Sequence, residues 1–259
     1  SNSKIDETFK FNSKLVFSDL NFQWIYEPSG KDRYTLSALR SESILDYISV
    51  DENEEFESTQ NHEVSNFGLN FKWDHRWGAK LQSELSATFV DYFMDYGLRE
   101  FREVGTEDDD AESRTNDLRN LEIRLSNDYE IAPRQVLKFG YQLNSIDVTS
   151  SINENSFFEE DFEEEFETLG LVHGLFTDYT AKWSDKFQLG AGLRLNKYES
   201  TGDLVLEPQL RLSYDLNKHW LLKSSLGVYR QYLSALQEAE FTFSNSIEQH
   251  WVVANEEEG

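Results

Sequence analysis

The 259-residue chain is acidic and polar, with 49 Asp and Glu against 24 Lys and Arg, a formal net charge of −25 and only 38% hydrophobic residues. No apolar run approaches the roughly 20 residues that a membrane-spanning helix needs, and the negative charge would repel nucleic acid phosphates. The absence of cysteine excludes disulfides, thiolate catalysis and cysteine metal sites. A transmembrane β-barrel stays possible despite the mean hydropathy of −0.64, because each of its strands supplies only a few outward apolar residues.

The start of the chain does not read as a signal peptide. Residues Ser1 to Leu20 lack the order of basic, apolar and small residues that such a peptide has. We therefore expect the start of the gene product to lie upstream of Ser1.

Residues 13–26 and the segment from Arg33 predict two strands, joined by a turn at Pro28–Lys31. Side chains alternate between the two faces of a strand, so every second residue shares a face. The apolar set on this pair is Leu20, Phe22, Trp24, Tyr26, Tyr34, Leu36 and Ala38. Arg40 and Glu42 would share that face. A membrane location therefore requires them to lie above the hydrocarbon or beyond a β-bulge.

The same alternation recurs along the rest of the chain. It is found in Phe67–Trp73, Leu81–Phe89, Leu121–Tyr129, Leu137–Leu143, Leu171–Trp183, Phe187–Leu195, Leu210–Leu216 and Leu222–Val228. The short turns at His75–Gly78, Ala132–Arg134, Ser184–Lys186 and Leu216–His219 alternate with acidic loops at Asp51–Glu55, Glu107–Asp110 and Glu159–Glu165. The sequence predicts about ten strands in an up-and-down meander, while Ser234–Gly259 shows no clear period.

Aromatic residues make up 14% of the chain, which is high for so polar a protein. Most tryptophans and several tyrosines fall near the short turns, namely Trp24, Trp73, Trp77, Trp183, Trp220, Tyr129 and Tyr214. A second candidate girdle, toward the long loops, consists of Tyr47, Tyr92, Tyr96 and Tyr198. Such rings collect where hydrocarbon meets water, so the pattern favours strands that cross a bilayer.

Motifs for catalysis or metal binding are absent. The five histidines show no HxH or HExxH spacing, and no GxSxG elbow or P-loop occurs. The loop that begins at Asp51 has Phe56 where an EF-hand needs glycine, so solvated acidic loops are favoured over calcium sites. We predict no catalytic residues, no cofactor and no metal, although a carboxylate pair suited to glycoside hydrolysis stays open among so many acidic residues.

The face opposite the apolar one is polar and mixed in charge. It carries Lys72, Glu84, Glu122, Arg124, Lys138, Arg194, Arg211 and Lys223. On a membrane interpretation this face lines a water-filled or plugged interior, and Gly190 and Gly192 leave room beside a segment that fills it. The candidate substrate-contacting residues are Arg124, Arg194, Arg211, Lys223 and Tyr229.

The hairpin VLEPQLRLSYDLNKHWLLKSSLGVYRQY, Val205–Tyr232, resembles the barrel of TonB-dependent outer-membrane receptors. The matching residues are Glu207, Pro208, Leu210, Ser213, Tyr214, Leu222, Lys223, Ser225, Gly227 and Tyr229. Over the rest of the chain the resemblance is architectural.

The resemblance implies an all-β, antiparallel up-and-down transmembrane barrel of 22 strands, of which residues 1–259 supply about ten, without the plug domain or the final strands. It implies an outer-membrane transporter, not an enzyme, that imports a bulky nutrient of the siderophore, vitamin, oligosaccharide or peptide class. Its expected partners are the TonB complex, which would bind a part of the protein not present here, the lipid bilayer, lipopolysaccharide and a surface lipoprotein.

Two other classes stay open. An acidic β-sandwich that binds carbohydrate would place a second sheet over the apolar face. A stand-alone outer-membrane barrel, with an adhesive or enzymatic function, would close with these strands alone. The acidic loops also suggest a hypothesis of cationic ligands or of divalent ions that bridge to lipopolysaccharide.

Overall fold

The computed structural model describes residues 9–51, 56–101, 109–155, 161–231, 233–238 and 248–253, and these form strands and connections. The strands are β1 Phe9–Tyr26, β2 Asp32–Asp51, β3 Phe56–Arg76, β4 Leu81–Phe101, β5 Asp109–Ala132, β6 Gln135–Asn155, β7 Phe162–Lys182, β8 Phe187–Tyr198, β9 Leu204–Asn217, β10 Trp220–Gly227, β11 Leu233–Glu238 and β12 Glu248–Val253. None of the described segments forms a helix long and apolar enough to cross a bilayer.

The first ten strands form one sheet in which each strand pairs with its neighbour in sequence, from β1 to β10. Every pairing is antiparallel. This order confirms the predicted all-β, up-and-down meander of about ten strands. The segment predicted to lack periodicity contains β11 and β12, which pair with each other, and β12 approaches β5, β6 and β7. Six residues per strand give too few alternations to stand out in the sequence.

Side-chain oxygens close three of the short turns. Ser29 Oγ accepts hydrogen bonds from the backbone N–H groups of Lys31 and Asp32, each at 3.1 Å. Ser184 Oγ serves the β7–β8 turn in the same way, and Asn217 Oδ1 serves the β9–β10 turn. These residues replace the ladder hydrogen bonds that a reversing backbone loses.

Two predicted details change in the structure. Strand β3 continues through His75 to Arg76 and β4 begins at Leu81, so His75 lies in a strand and the turn comes two residues later than predicted. The register of β2 with both neighbours is continuous, which excludes a bulge near Arg40 or Glu42. Of the three predicted acidic loops, residues 52–55, 107–108 and 159–160 lie outside the described residues. The loop prediction is wrong for Asp109 and Asp110, which belong to β5, and for Phe162–Glu165, which belong to β7, because the strand pairing continues through these acidic residues.

Strand length divides the sheet into two regions. Strands β1 to β7 have 18–24 residues, whereas β8 has 12 and β9 has 14. A tilted strand needs only about 9–11 residues to cross a bilayer. The hairpins β2–β3, β4–β5 and β6–β7 therefore extend well beyond a membrane, whereas β8–β9 ends near its surface.

The short turns step along the sheet in a constant direction. The row of register partners that begins at the last β1–β2 pair runs through Tyr26, Tyr34, Trp73, Leu85, Leu125, Tyr141, Leu175, Leu195 and Leu206. The β9–β10 turn starts at Asn217, eleven residues beyond Leu206 on β9. The offset is thus eleven residues of about 3.3 Å along the strand direction, over eight strand spacings of about 4.8 Å across the sheet. The short turns lie at one level if the strands tilt by about 43°, the angle whose tangent is the ratio of these two lengths. Barrel strands tilt by about 35–45°.

Candidate functional site

The sheet has one apolar and one polar face over its lower part, next to the short turns. We call the face that carries Phe71 and Ile123 the outer face, and the opposite one the inner face. Many large apolar side chains of the outer face are exposed, from 37% at Leu212 to 76% at Leu226. In the described part of the chain, no second sheet covers them, which contradicts the sandwich alternative.

Aromatic rings line the outer face beside the short turns. One series of ring contacts joins Trp24, Tyr26, Tyr34, Trp73, His75 and Trp77, with centroids 4.4–6.5 Å apart. Another joins Trp183, Phe187 and Tyr214 at 5.8 and 6.4 Å. Polar atoms anchor the first series, because Asp32 Oδ1 lies 3.2 Å from Trp73 Nε1 and 2.6 Å from His75 Nδ1. The predicted position of the tryptophans near the short turns is confirmed.

The predicted second girdle is wrong. Tyr47, Tyr92, Tyr96 and Tyr198 all fall on the inner face, since their positions alternate with those of the outer residues of β2, β4 and β8. Tyr96 is 5% exposed and Tyr198 only 1%. Their distance from the short turns alone predicts a girdle, but distance does not determine the face of the strand on which a residue lies.

A charged row, not a tyrosine girdle, marks the upper limit of the outer apolar surface. One cross-strand row carries Arg40, Asp91, Arg119 and Asp147 on β2, β4, β5 and β6, and it also passes through Phe67 on β3 and Leu169 on β7. Arg119 Nη2 donates to Asp117 Oδ2 at 2.9 Å. On β5, Arg119 lies ten residues from Tyr129 beside the short turn, which is the length that crosses hydrocarbon. Arg40 belongs to this row, and no bulge is needed.

Below the level of the charged row, the inner face carries a ladder of paired polar side chains. Lys72 Nζ lies 2.7 Å from Glu84 Oε2. Gln142 Nε2 donates to Glu122 Oε2 at 2.7 Å, and its Oε1 accepts from Arg194 Nη1 at 3.1 Å. The pairs run from strand to strand, so the charges of this face largely neutralise one another.

The candidate substrate-contacting residues occupy different places on this face. Arg194 joins the ladder and also donates to Asn196, Arg211 forms an ion pair with Asp178, and the Arg124 guanidinium lies 4.8 Å from the centroid of the Phe176 ring. Lys223 shares the inner face on β10, and Tyr229 follows the end of that strand with its ring against Gly227. Contact of any of the five with a substrate stays a prediction.

Inner-face glycines make room for charged neighbours. A Cβ on Gly190 would lie 3.2 Å from the Arg211 guanidinium, and one on Gly192 would lie 2.8 Å from the Asp178 carboxylate. The expected space for a segment that fills the interior is thus occupied by side chains of the wall itself. Gly140 is more confined, since its Cβ would meet the backbone oxygen of Leu125 at 2.1 Å.

Close to the charged row, the inner face carries a buried apolar cluster that the sequence pattern did not predict. Leu118, Ile146, Val148, Val172 and Tyr198 form a buried cluster, each at most 7% exposed, and Tyr92 packs against it. The signal was present in the alternation of Leu118 with Asp117 and Arg119, and of Val148 with Asp147. It has the opposite phase to the lower part of the same strands.

Glu207 has a structural role that the motif alone did not show. It is 5% exposed, and its Oε1 accepts the backbone N–H of Arg230 at 3.0 Å, while Pro208 O accepts that of Val228. The Glu-Pro pair therefore fixes the chain where it leaves β10. Among the described residues, no group of three or more His, Asp and Glu side chains is arranged to hold a metal ion.

The comparison with protein families agrees with this geometry. The family described as "TonB dependent receptor-like, beta-barrel" matches residues 6–236, and the chain belongs to this family. Among solved structures, it is similar to the translocator domain of the autotransporter NalP from Neisseria meningitidis, at 12% identity and a TM-score of 0.38, over 85% of this chain and 82% of that one. A comparison with curated proteins gives no match.

Proposed function

We propose that the complete protein is a TonB-dependent transporter of a Gram-negative outer membrane, and that this chain forms part of its barrel wall. It imports a bulky nutrient into the periplasm with energy delivered by TonB. The observation that carries the proposal is the opposite chemistry of the two faces over one membrane-crossing length of a tilted meander. Lipid covers the outer leucines, and water or a plug covers the inner ladder.

The inner ladder supports transport over catalysis. Its charges are held in pairs such as Lys72 with Glu84 and Arg211 with Asp178. A wall of this kind solvates a passing solute without binding it tightly at one point. We therefore propose that the protein is not an enzyme.

Uptake measurements test the proposal. The complete protein is produced in the outer membrane of a Gram-negative host with or without TonB, and accumulation of labelled siderophores, vitamins, oligosaccharides and peptides is followed. We expect one class to accumulate only when both the protein and TonB are present. A correctly inserted protein that accumulates none of them, or that does so equally without TonB, would contradict the proposal.

An Arg194→Gln variant then tests a candidate substrate contact. Arg194 bonds to the neutral Gln142 and Asn196, so the change leaves no unpaired carboxylate. We expect a higher substrate concentration at half-maximal uptake, with unchanged insertion. Lys31→Gln, in the exposed β1–β2 turn, is the control with the same change of charge and should leave uptake unaltered.

A further inference from the structure

The upper part of β7 is a strand edge inside the chain. Residues 172–182 of β7 pair with β8, and residues 162–181 pair with β6. Between Phe162 and Gly170, no strand of the described residues pairs with the side of β7 that faces β8. The cause is the short β8–β9 hairpin, so this edge is fixed by registers within the chain.

The β8–β9 turn closes the lower end of this edge. The backbone N–H of Glu199 donates to Leu171 O at 2.9 Å, and Ser200 Oγ donates to Leu169 O at 3.0 Å. Backbone groups of successive strand residues point to opposite sides. The odd-numbered residues 163, 165 and 167 therefore direct N–H and C=O groups to the open side, an arrangement that can accept an added strand.

The side chains beside this edge indicate what kind of strand would fit. Glu163, Glu165 and Glu167 lie on the outer face and are exposed. Phe162 and Phe166 lie on the inner face and are 46% and 47% exposed. The sequence from 145 to 170 contains nine acidic residues and no Lys or Arg. An added strand would thus meet carboxylates on one of its faces and phenyl rings on the other.

A second copy of this chain does not suit the edge, because its own carboxylates would face those of the first across the new pair, and like charges opposite each other are destabilising. We propose that the upper edge of β7 binds an extended polypeptide segment of about eight residues by strand addition. This segment has Lys or Arg on the outer face and apolar residues on the inner face.

Synthetic peptides test the proposal on the complete protein in lipid nanodiscs. The probe is an eight-residue peptide that alternates Lys and Val. One control alternates Glu and Val, and another is the Lys-Val peptide with N-methyl groups on every second residue, so that it cannot donate along one edge. Binding is followed by fluorescence anisotropy, and amide hydrogen exchange locates the site.

We expect the Lys-Val peptide to bind, to slow exchange at residues 163, 165, 167 and 169, and to lose at least about tenfold in affinity when it is N-methylated, because several hydrogen bonds are lost. The Glu-Val peptide should not bind. Equal binding of the N-methylated peptide, no binding of the Lys-Val peptide, or protection elsewhere in the sheet would overturn the proposal.

Charge variants distinguish attraction of the peptide by the glutamates beside the edge from attraction by the net charge of the protein. The triple variant Glu163→Gln, Glu165→Gln and Glu167→Gln should weaken the Lys-Val peptide by about tenfold, since each exposed pair contributes less than about 1 kcal/mol. An unchanged affinity would overturn the proposal.

The matched control removes the same charge from the outer face of β2 and β3, through Glu42→Gln, Glu57→Gln and Glu63→Gln. It should change affinity by less than about twofold, because exposed charges more than about 10 Å away are screened. An equal loss in both triple variants would mean that net charge alone attracts the peptide.

A proline tests the backbone contact without a change elsewhere. The N–H of Glu165 points to the open side, so Glu165→Pro leaves the pairing with β6 intact but blocks the edge. We expect loss of peptide binding with retained nutrient uptake and barrel stability. Retained binding by this variant would contradict strand addition.

Discussion

The lower and upper halves of strands β4 to β7 have the same register but opposite chemistry. In the lower half, Ile123 points outward and Arg124 inward. In the upper half, Asp117 points outward and Leu118 inward, and Leu118 is 7% exposed. The exchange occurs at the charged row of Arg119 and Asp147, and the pairings have no shift there.

The comparison shows that the environment on each face, and not a change of register, sets the residue pattern. Below the charged row, the outer face needs apolar side chains because lipid offers no hydrogen bonds. Above it, the outer face meets water and carries charge, while the inner face can bury an apolar cluster. A single strand therefore has two opposite binary patterns in sequence.

The largest expected effect is that of a charge on the outer face of the lower half. Ile123→Arg should lower the free energy of unfolding by about 2–4 kcal/mol, because an arginine near the bilayer midplane is poorly solvated. Ser113→Arg, on the outer face of the upper half of β5, should cost less than about 1 kcal/mol. Guanidinium unfolding of the complete protein in lipid vesicles measures both losses of stability. Equal losses would contradict an outer apolar surface that ends at the charged row.

The upper inner face is tested by truncation of its cluster. Leu118→Ala should cost about 2–3 kcal/mol, since it leaves a cavity among buried side chains. Leu121→Ala, three residues away on the lower outer face, should cost about 1 kcal/mol or less, because lipid chains can fill the space. The same unfolding assay checks both, and a smaller effect at Leu118 would rule out a packed cluster.

Tight packing on the lower inner face predicts that an added methyl group there also lowers the free energy of unfolding. Gly140→Ala should cost about 1–3 kcal/mol, because its Cβ would collide with Leu125 O and the Phe176 ring. Gly97→Ala has open space around the new methyl group, so the unfolding free energy should change by no more than about 0.5 kcal/mol. Equal stability of the two variants would show that the inner face adapts freely.

The smallest expected effect concerns the turn that joins the short strands β8 and β9. A hydrogen bond from Lys197 Nζ at 2.8 Å is the main reason why the pKa of Glu199 is lowered from its ordinary 4.5. This pair stabilises the folded state above the unfolded pKa, and the contribution is lost as the pH falls through the folded pKa. In Lys197→Met, we expect the pKa of Glu199 to rise toward 4.5 in a carboxyl NMR titration, and an unchanged value would contradict the pairing.

The sequence predicted the order of the strands in the sheet better than it predicted which residues lie on each face. The alternation of Leu121, Ile123 and Leu125 and the short turns were enough to give ten strands in order, because neighbouring strands joined by tight turns pair locally. The assignment of Tyr96 and Tyr198 to a girdle was wrong, since distance from a turn does not tell on which face a residue lies. The polar ladder was predicted as a set of residues, but its partners depend on register.

The sequence by itself determined the class of fold, since a period of two, tight turns and aromatic residues beside them are local features of the chain. It also determined the family, through the hairpin around Glu207 and Pro208. Only the tertiary structure decided where the apolar surface ends, which inner charges pair and which edge stays open. Those properties depend on the stagger between strands that are distant in sequence, and stagger is set by pairing across the whole sheet.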